Sequence, residues 1–188
     1  MKYAGIVGNN STDSTNRTLM RFVAKHFSDR AEVELVEVRP LPPFKQTGDH
    51  TPPPEVQKLI DVIAASDGVI IATPEYNHTI PAALRSALEW LSYTSDVLRG
   101  RPVLMIGASY GRLGTSRAQG HLRQILTCPG LRARVMSSEF FLGSSLQAFD
   151  DNGDLILESD VASLESTFDD FVSFSEIIKE VSVREGAK

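Results

Sequence analysis

The sequence predicts a doubly wound α/β domain built on a parallel sheet, and three observations carry that prediction. Short, β-branched apolar runs such as Gly68-Val69-Ile70-Ile71-Ala72 alternate with segments whose apolar residues recur at helical spacing. The loops after the first, third and fourth runs hold small, hydroxyl, amide and proline residues, as a ligand crevice at the carboxyl edge of an open sheet requires. The chain has 188 residues and 41% apolar composition, enough for one full core, so residues 1–188 are expected to form a single domain.

The elements follow in order. Tyr3–Val7 reads as a buried strand, and the polar stretch Gly8–Asp13 leads into a helix with Leu19, Phe22, Val23 and Phe27 on one face. Val33, Leu35, Val36 and Val38 mark a second strand. Pro40 to Pro54 holds six of the ten prolines and predicts an extended surface loop. Val56, Leu59, Ile60 and Ile63 mark the next helix, with Pro54 placed near its first turn. Gly68–Thr73 is the third strand. The helix from Pro81 to Tyr93 sets Ile80, Ala83, Leu84, Ala87, Leu88 and Leu91 on one face and pairs Arg85 with Glu89 on the other. Pro102–Ala108 is a fourth strand, followed by a glycine-rich loop and a helix through Leu122, Ile125 and Leu126. Val135–Leu142 is a fifth strand, Asn152-Gly153 a turn, and residues 158–181 a closing helix carrying Leu164, Phe168, Phe171, Val172 and Ile178.

Composition narrows the function classes. Apolar runs fall short of the roughly eighteen residues of a membrane span, and Tyr3–Val7 is too short for a signal peptide, so no membrane association is expected. A single cysteine, Cys128, rules out an intramolecular disulfide framework and fits a reducing cytoplasm; an incidental thiol is the expected reading of it. The net charge is −5, with 11 acidic and 3 basic residues in 147–188, a net of −8, against a net of +3 in residues 1–146. That distribution suits a solvated acidic helix face and an anionic small ligand, not nucleic acid. His26, His50 and His121 lack partners at metal-ligand spacing, so no metal site is expected.

Three loops carry the chemistry. Thr73-Pro74-Glu75-Tyr76-Asn77-His78-Thr79-Ile80-Pro81 is stiffened by prolines on either side of an aromatic and an amide, which suits a planar heteroaromatic ligand. Gly8 to Asn16 opens the first helix with Ser11, Ser14, Thr15 and Asn16, which is either an anion site at a helix amino terminus or ordinary capping by Ser14, Thr15 or Asn16. It is neither a Walker loop nor a dinucleotide fingerprint. In Gly107-Ala108-Ser109-Tyr110-Gly111-Arg112-Leu113-Gly114-Thr115, Gly111 and Gly114 permit close approach of backbone to a ligand, while Ser109 and Thr115 offer hydroxyls. Arg112 either meets the phosphates of a nicotinamide nucleotide beside Tyr110 or forms a surface salt bridge.

These residues make the chain recognisable. In Thr73-Pro74-Glu75-Tyr76-Asn77, in Ile80-Pro81 through Leu84, Ala87 and Trp90, and in Gly107-Ala108-Ser109, Gly111-Arg112-Leu113-Gly114 and Arg117-Ala118-Gln119, it resembles the NADPH-dependent FMN reductase family, which includes quinone, azo and chromate reductases. The resemblance implies a flavodoxin-like, five-stranded parallel sheet of order 2-1-3-4-5 flanked by helices. It implies FMN as cofactor, NADPH or NADH as co-substrate, a quinone-like or other small-molecule electron acceptor, and a homodimer or homotetramer. It would place the FMN phosphate on Ser11, Ser14 and Asn16. Pro74, Glu75, Tyr76 and Asn77 would line the flavin ring and ribityl chain with Thr79 nearby, and Ser109, Gly111 and Gly114 would border the ring from the other side. The chain departs from the family at Ser11, where an arginine is usual, and at His78, where glycine is common.

The expected activity is hydride transfer from NAD(P)H to FMN and onward to an acceptor, with the flavin carrying the chemistry. No side-chain nucleophile is needed. His78 is either a proton donor beside the flavin or a residue packing at the loop tip. The alternative is a flavodoxin-like electron carrier without intrinsic NAD(P)H activity, against which stands the lack of a Thr-Gly-rich phosphate loop at residues 8–16. Trp90, Leu91 and Tyr93 form either a dimerisation patch or part of the monomer core.

Overall fold

Successive residues of a strand point to opposite faces of its sheet, so the first strand, β1 (Lys2–Val7), sends Tyr3 and Val7 into one layer and Ala4 and Ile6 into the other. In the computed structural model, which describes residues 1–186, this alternation organises the whole domain. The expected domain ran to residue 188; residues 187 and 188 lie outside the described residues. β1 is central, paired in parallel with β2 (Glu32–Glu37) and β3 (Gly68–Ala72); β4 (Pro102–Ala108) and β5 (Arg134–Leu142) continue outward, giving the order β2-β1-β3-β4-β5. The sheet is the expected flavodoxin-like one.

Helices α1 (Thr15–His26) and α5 (Glu158–Gly186) cover one face, where Phe27 stacks on Phe168 with centroids 3.9 Å apart and Tyr3 packs on Phe171 at 4.8 Å. Helices α2 (Pro54–Ala64), α3 (Ala82–Thr94) and α4 (Ser116–Leu126) cover the other through Leu59, Ile63, Leu84, Leu88, Leu122 and Leu126. Both layers bury large side chains completely, each contributing about 1.5–3 kcal/mol against exposure. The closing helix runs past the expected residue 181 because no proline or interior glycine interrupts it before Gly186.

Two features were not legible locally. Strand β5 holds extra residues opposite Leu104, since Val103 pairs with Val135 but Met105 with Glu139. Arg123 spans the irregularity, donating to the Met136 carbonyl at 2.8 Å and to Glu139 at 2.7 Å. The proline-rich loop is a strap across α3. Trp90 Nε1 donates to the Pro42 carbonyl at 2.9 Å, the Tyr93 hydroxyl donates to the Thr47 carbonyl, and His50 stacks on the Tyr93 ring. Of the residues read as either a dimerisation patch or part of the monomer core, Trp90 and Leu91 are buried in the core and Tyr93 is half-buried beneath the strap. Among the described residues no helix is long and apolar enough to cross a membrane.

The Tyr3 ring is fully buried, and burial pushes its hydroxyl up from 10.0 to about 12. The folded state therefore keeps a proton that the unfolded chain loses. Stability from this group is complete below pH 10 and lost as pH rises through about 12. Tyr3→Phe is expected to remove about 2–3 kcal/mol of this alkaline loss, read as a shallower slope of unfolding free energy in denaturant titrations across that window.

Candidate functional site

The carboxyl ends of β1, β3 and β4 release three loops that side-chain hydrogen bonds then lock to one another. In the first, the Ser14 hydroxyl donates to Asn9 Oδ1 at 2.9 Å and accepts from the Arg17 N–H at 3.2 Å, which makes Ser14 the N-cap of α1. Arg17, which the sequence reading missed, grips Glu37 at 2.5 and 2.9 Å and donates to the carbonyls of Thr12 and Ser11. Its hydrogen bonds to Glu37 raise its guanidinium above its usual value, so the anchor is permanently charged. The N–H groups of Thr15 and Asn16, in the first turn, have no intrahelical acceptor by position, and the helix dipole puts partial positive charge there.

Asn16 makes the link between loops. Its Nδ2 donates to the Ala108 carbonyl at 2.8 Å and its Oδ1 accepts from the Ala108 N–H at 2.9 Å, with the residue 1% exposed. The start of α1 is thereby fastened to the end of β4 across the sheet edge. Thr15 Oγ1 lies 3.0 Å from Ser145 Oγ, tying the same turn to the segment after β5.

The loop after β3 is held from α4. The Glu75 carboxylate accepts from the N–H groups of Arg117 and Ala118 at 3.0 and 3.2 Å and from Arg117 Nε at 2.7 Å. Thr115 gives α4 no side-chain cap, so Glu75 caps it from another loop. Beyond it, Tyr76 and Thr79 exchange both backbone hydrogen bonds, at 2.9 and 3.0 Å, around Asn77 (φ 50°) and His78 (φ 65°). That is a two-residue turn of the type that needs left-handed backbone at both central positions. Thr79 Oγ1 contacts His121 Nδ1 at 3.0 Å.

The loop after β4 folds back on itself: the Ser109 hydroxyl donates to the carbonyls of Gly114 and Gly111 at 2.7 and 3.2 Å. Gly114 has φ +60° and lies so close to β5 that a Cβ there would sit 2.8 Å from that of Phe141. Gly107 lies against Thr115 Oγ1 and the Thr73 carbonyl with no room for a Cβ.

Between the loops lies a cavity of about 410 Å³. Ser14, Thr15, Asn16, Pro74, Glu75, Tyr76, Ser109, Tyr110, Gly111, Arg112 and Gly114, all expected from the sequence, lie on its wall. Ser11, Asn77, His78 and Thr79 do not. Ser11 turns its hydroxyl to the Asp13 carbonyl at 2.8 Å, and Asn77 and His78 are exposed in their turn. The wall also includes Asn9, Asp13, Ala108, Leu113 and Arg117. Arg117 carries no local signal, because its partner Glu75 is 42 residues away. Among the described residues Arg112 forms no ion pair, so the surface salt bridge is not its role. No group of three or more His, Cys, Asp or Glu gathers among the described residues as a metal site would require.

The donor set fits FMN. Hydroxyls and open amides at the start of α1 suit a phosphate. Tyr76 (46% exposed) and the backbone around Gly111, where a Cβ would meet only the Ser109 hydroxyl, leave flat, accessible walls for a ring.

Comparison with known proteins agrees with this geometry. Residues 1–147 match the model of a family described as NADPH-dependent FMN reductase. A subunit of the NADH:(hydroxy)cinnamate reductase of Vibrio ruber is 56% identical over 179 residues, covering 95% of this chain and 89% of that one. Subunit 2 of an NADH-dependent flavin reductase of Lactobacillus johnsonii is 41% identical, covering 94% of this chain and 98% of the relative. Among solved structures, the flavoenzyme NAD(P)H:(acceptor) oxidoreductase FerB of Paracoccus denitrificans superposes with a TM-score of 0.83 at 30% identity, over 93% of this chain and 97% of that one.

Two variants test the scaffold. Asn16→Ala strands the N–H and C=O of Ala108 in a buried site, with an expected cost of about 2–3 kcal/mol and weakened flavin binding, read by denaturant unfolding and flavin fluorescence titration. His78→Gly relieves left-handed backbone strain and is expected to gain about 0.5–1 kcal/mol after the larger unfolded-state entropy of glycine is counted, with flavin affinity unchanged.

Proposed function

This chain belongs to the NADPH-dependent FMN reductase family and is an NAD(P)H-dependent flavin oxidoreductase, and from that premise we propose that it is the NADH-oxidising, flavin-reducing component of a two-component reductase. The observation that carries the reading is the cavity at the carboxyl edge of the sheet, where the open amino terminus of α1 meets two loops with flat, accessible walls. The two relatives are each named as an NADH-dependent subunit, which supports NADH as donor and a second polypeptide as the recipient of electrons. Quinone-like small molecules are the direct acceptors this reading allows in the partner's absence.

When bound, FMN supplies hydride acceptance and electron release. The chain positions it. Thr15 and the first amides of α1 would hold the phosphate, with Ser14 and Asn16 keeping that turn in place. Pro74, Glu75 and Tyr76 on one side, and Ser109, Gly111 and Gly114 on the other, border the ring through backbone edges, since Glu75 and Ser109 spend their side chains within the protein. Tyr110 and Arg112 flank the entrance for the nucleotide, Arg112 as a cation without an ion-pair partner among the described residues. No side chain acts as nucleophile, and His78, exposed in its turn outside the cavity wall, is assigned no step. The working form is a homodimer in a reducing cytoplasm, for which exposed Leu113 and Phe141 offer apolar surface close to the cavity.

An anaerobic spectrum of the FMN-reconstituted protein, taken before and after stoichiometric NADH or NADPH, tests the reading. Bleaching of bound flavin by NADH in preference to NADPH is expected. Bound flavin that neither nucleotide reduces would make the chain an electron carrier instead. Sedimentation at micromolar concentration giving a monomer mass would dismiss the dimer. Quinone turnover by His78→Gly should match the parent between pH 5 and 8.

A further inference from the structure

A second cavity, of about 870 Å³, lies on the outer side of the first loop. It shares Asp13, Ser14, Thr15 and Tyr110 with the flavin cavity, so the two are continuous around that loop. Three arginines line it. Arg17 is consumed by Glu37 and by loop carbonyls, whereas Arg21 and Arg39 have no hydrogen-bond or ion-pair partner among the described residues. Two of the acids nearby are already paired within the fold. Glu37 is neutralised by Arg17, and Asp154, in the adjoining hollow beside Arg21, is taken by Lys25 at 2.7 Å. Asp13 on the shared wall acts by charge on Arg17, and Asp151 lies in that hollow; neither forms an ion pair among the described residues. Tyr110 and Leu146, 63% and 60% exposed, present flat apolar surface on the same cavity.

We infer that this outer cavity is the subsite for the adenosine diphosphate half of the dinucleotide donor, with Arg21 and Arg39 binding its diphosphate and Tyr110 with Leu146 forming a platform for the adenine. The inference rests on the reading of the chain as a dinucleotide-dependent reductase. Three facts select this ligand class. Two free guanidiniums match the geometry and charge of phosphate oxygens. The volume suits a nucleotide. Continuity with the flavin cavity lets one elongated ligand place its nicotinamide at the flavin and its diphosphate outside the loop. Neither arginine lies on the wall of the flavin cavity, so their work is separate from holding the flavin phosphate.

The test is ADP binding to the FMN-loaded protein by calorimetry, alongside the KM for NADH, in the parent, in the double variant Arg21→Ala/Arg39→Ala and in the control Arg99→Ala. Arg99 sits before β4 at the opposite edge of the sheet and is paired with Asp96. Both target arginines are exposed, so their loss leaves the fold intact. The expected result is that ADP affinity falls and KM for NADH rises, each by about tenfold or more from the lost charge-assisted bonds, with FMN affinity unchanged and the control like the parent. Unchanged ADP affinity and KM in the double variant, while the parent oxidises NADH, would overturn the subsite and leave the reductase reading standing. FMN affinity falling with KM unmoved would also overturn it and assign the arginines to the flavin phosphate. A parent that binds ADP through these arginines but oxidises no NADH would instead overturn the donor reading.

Discussion

The reciprocal pair between the Asn16 carboxamide and the Ala108 backbone is the contact on which the geometry of the site depends. Both groups are buried, so leaving either unsatisfied carries a desolvation cost, and the pair holds the start of α1 at one distance from the end of β4. Everything that meets the cavity is set from that fixed point. The amides of the first turn of α1 face the same opening as the loop after β4 because Asn16 belongs to the first and bonds to the base of the second. The contacts of Thr15 with Ser145, and of Ser145 with the Ser109 carbonyl, then bring the segment after β5 to the same place.

One consequence is that several side chains of the site's motifs serve the scaffold more than the ligand. Glu75 caps α4, Ser109 closes its own loop, Ser14 caps α1 and Asn16 ties the start of α1 to the end of β4. What remains directed at the cavity is backbone, hydroxyl, aromatic surface and the Arg112 cation. That inventory suits a cofactor which carries its own reactivity and asks the protein for position. It also shows why these residue types are needed: a glutamine at 75 would lose the ion pair with Arg117, and an alanine at 109 would free the Gly111–Gly114 turn, though neither side chain is assigned a step in the chemistry.

The sheet, its two helical layers and the three converging loops were legible because each is written in local pattern. Period-two apolar strands and i, i+3, i+4 helix faces declare themselves within a dozen residues. Non-local features were not legible. Arg17 reads as an ordinary first-turn residue until Glu37 is known to lie beside it. Arg117 acquires meaning only with Glu75. The stretch Pro40–Pro54 reads as extended surface chain, yet its seat on Trp90 and Tyr93 depends on the position of α3, so local pattern leaves interface and core as equal alternatives there. Asn77-His78 lacks the glycine that usually announces a two-residue turn with left-handed backbone, so local pattern assigns Asn77 to the ligand and leaves His78 between proton donor and loop tip.

Charge sets the last constraint. The chain is acidic overall and its last forty-two residues strongly so, which by itself would disfavour an anionic nucleotide and an anionic flavin alike. Fields of exposed charges fade within a screening length of about 8 Å at physiological salt, so net charge decides little at a cavity lined by its own cations. What a phosphate meets on entering is the amino terminus of α1 together with Arg112, Arg21 and Arg39, while the acids closest to them are partly spent on Arg17, Arg117 and Lys25. A protein can therefore be acidic as a whole and cationic at its site, provided that the acids near the site are paired within the fold. The pairing of Glu37 with Arg17 does this twice over: it removes a carboxylate from the outer cavity, and it fastens the first loop so that the helix end and the two free arginines border one continuous opening.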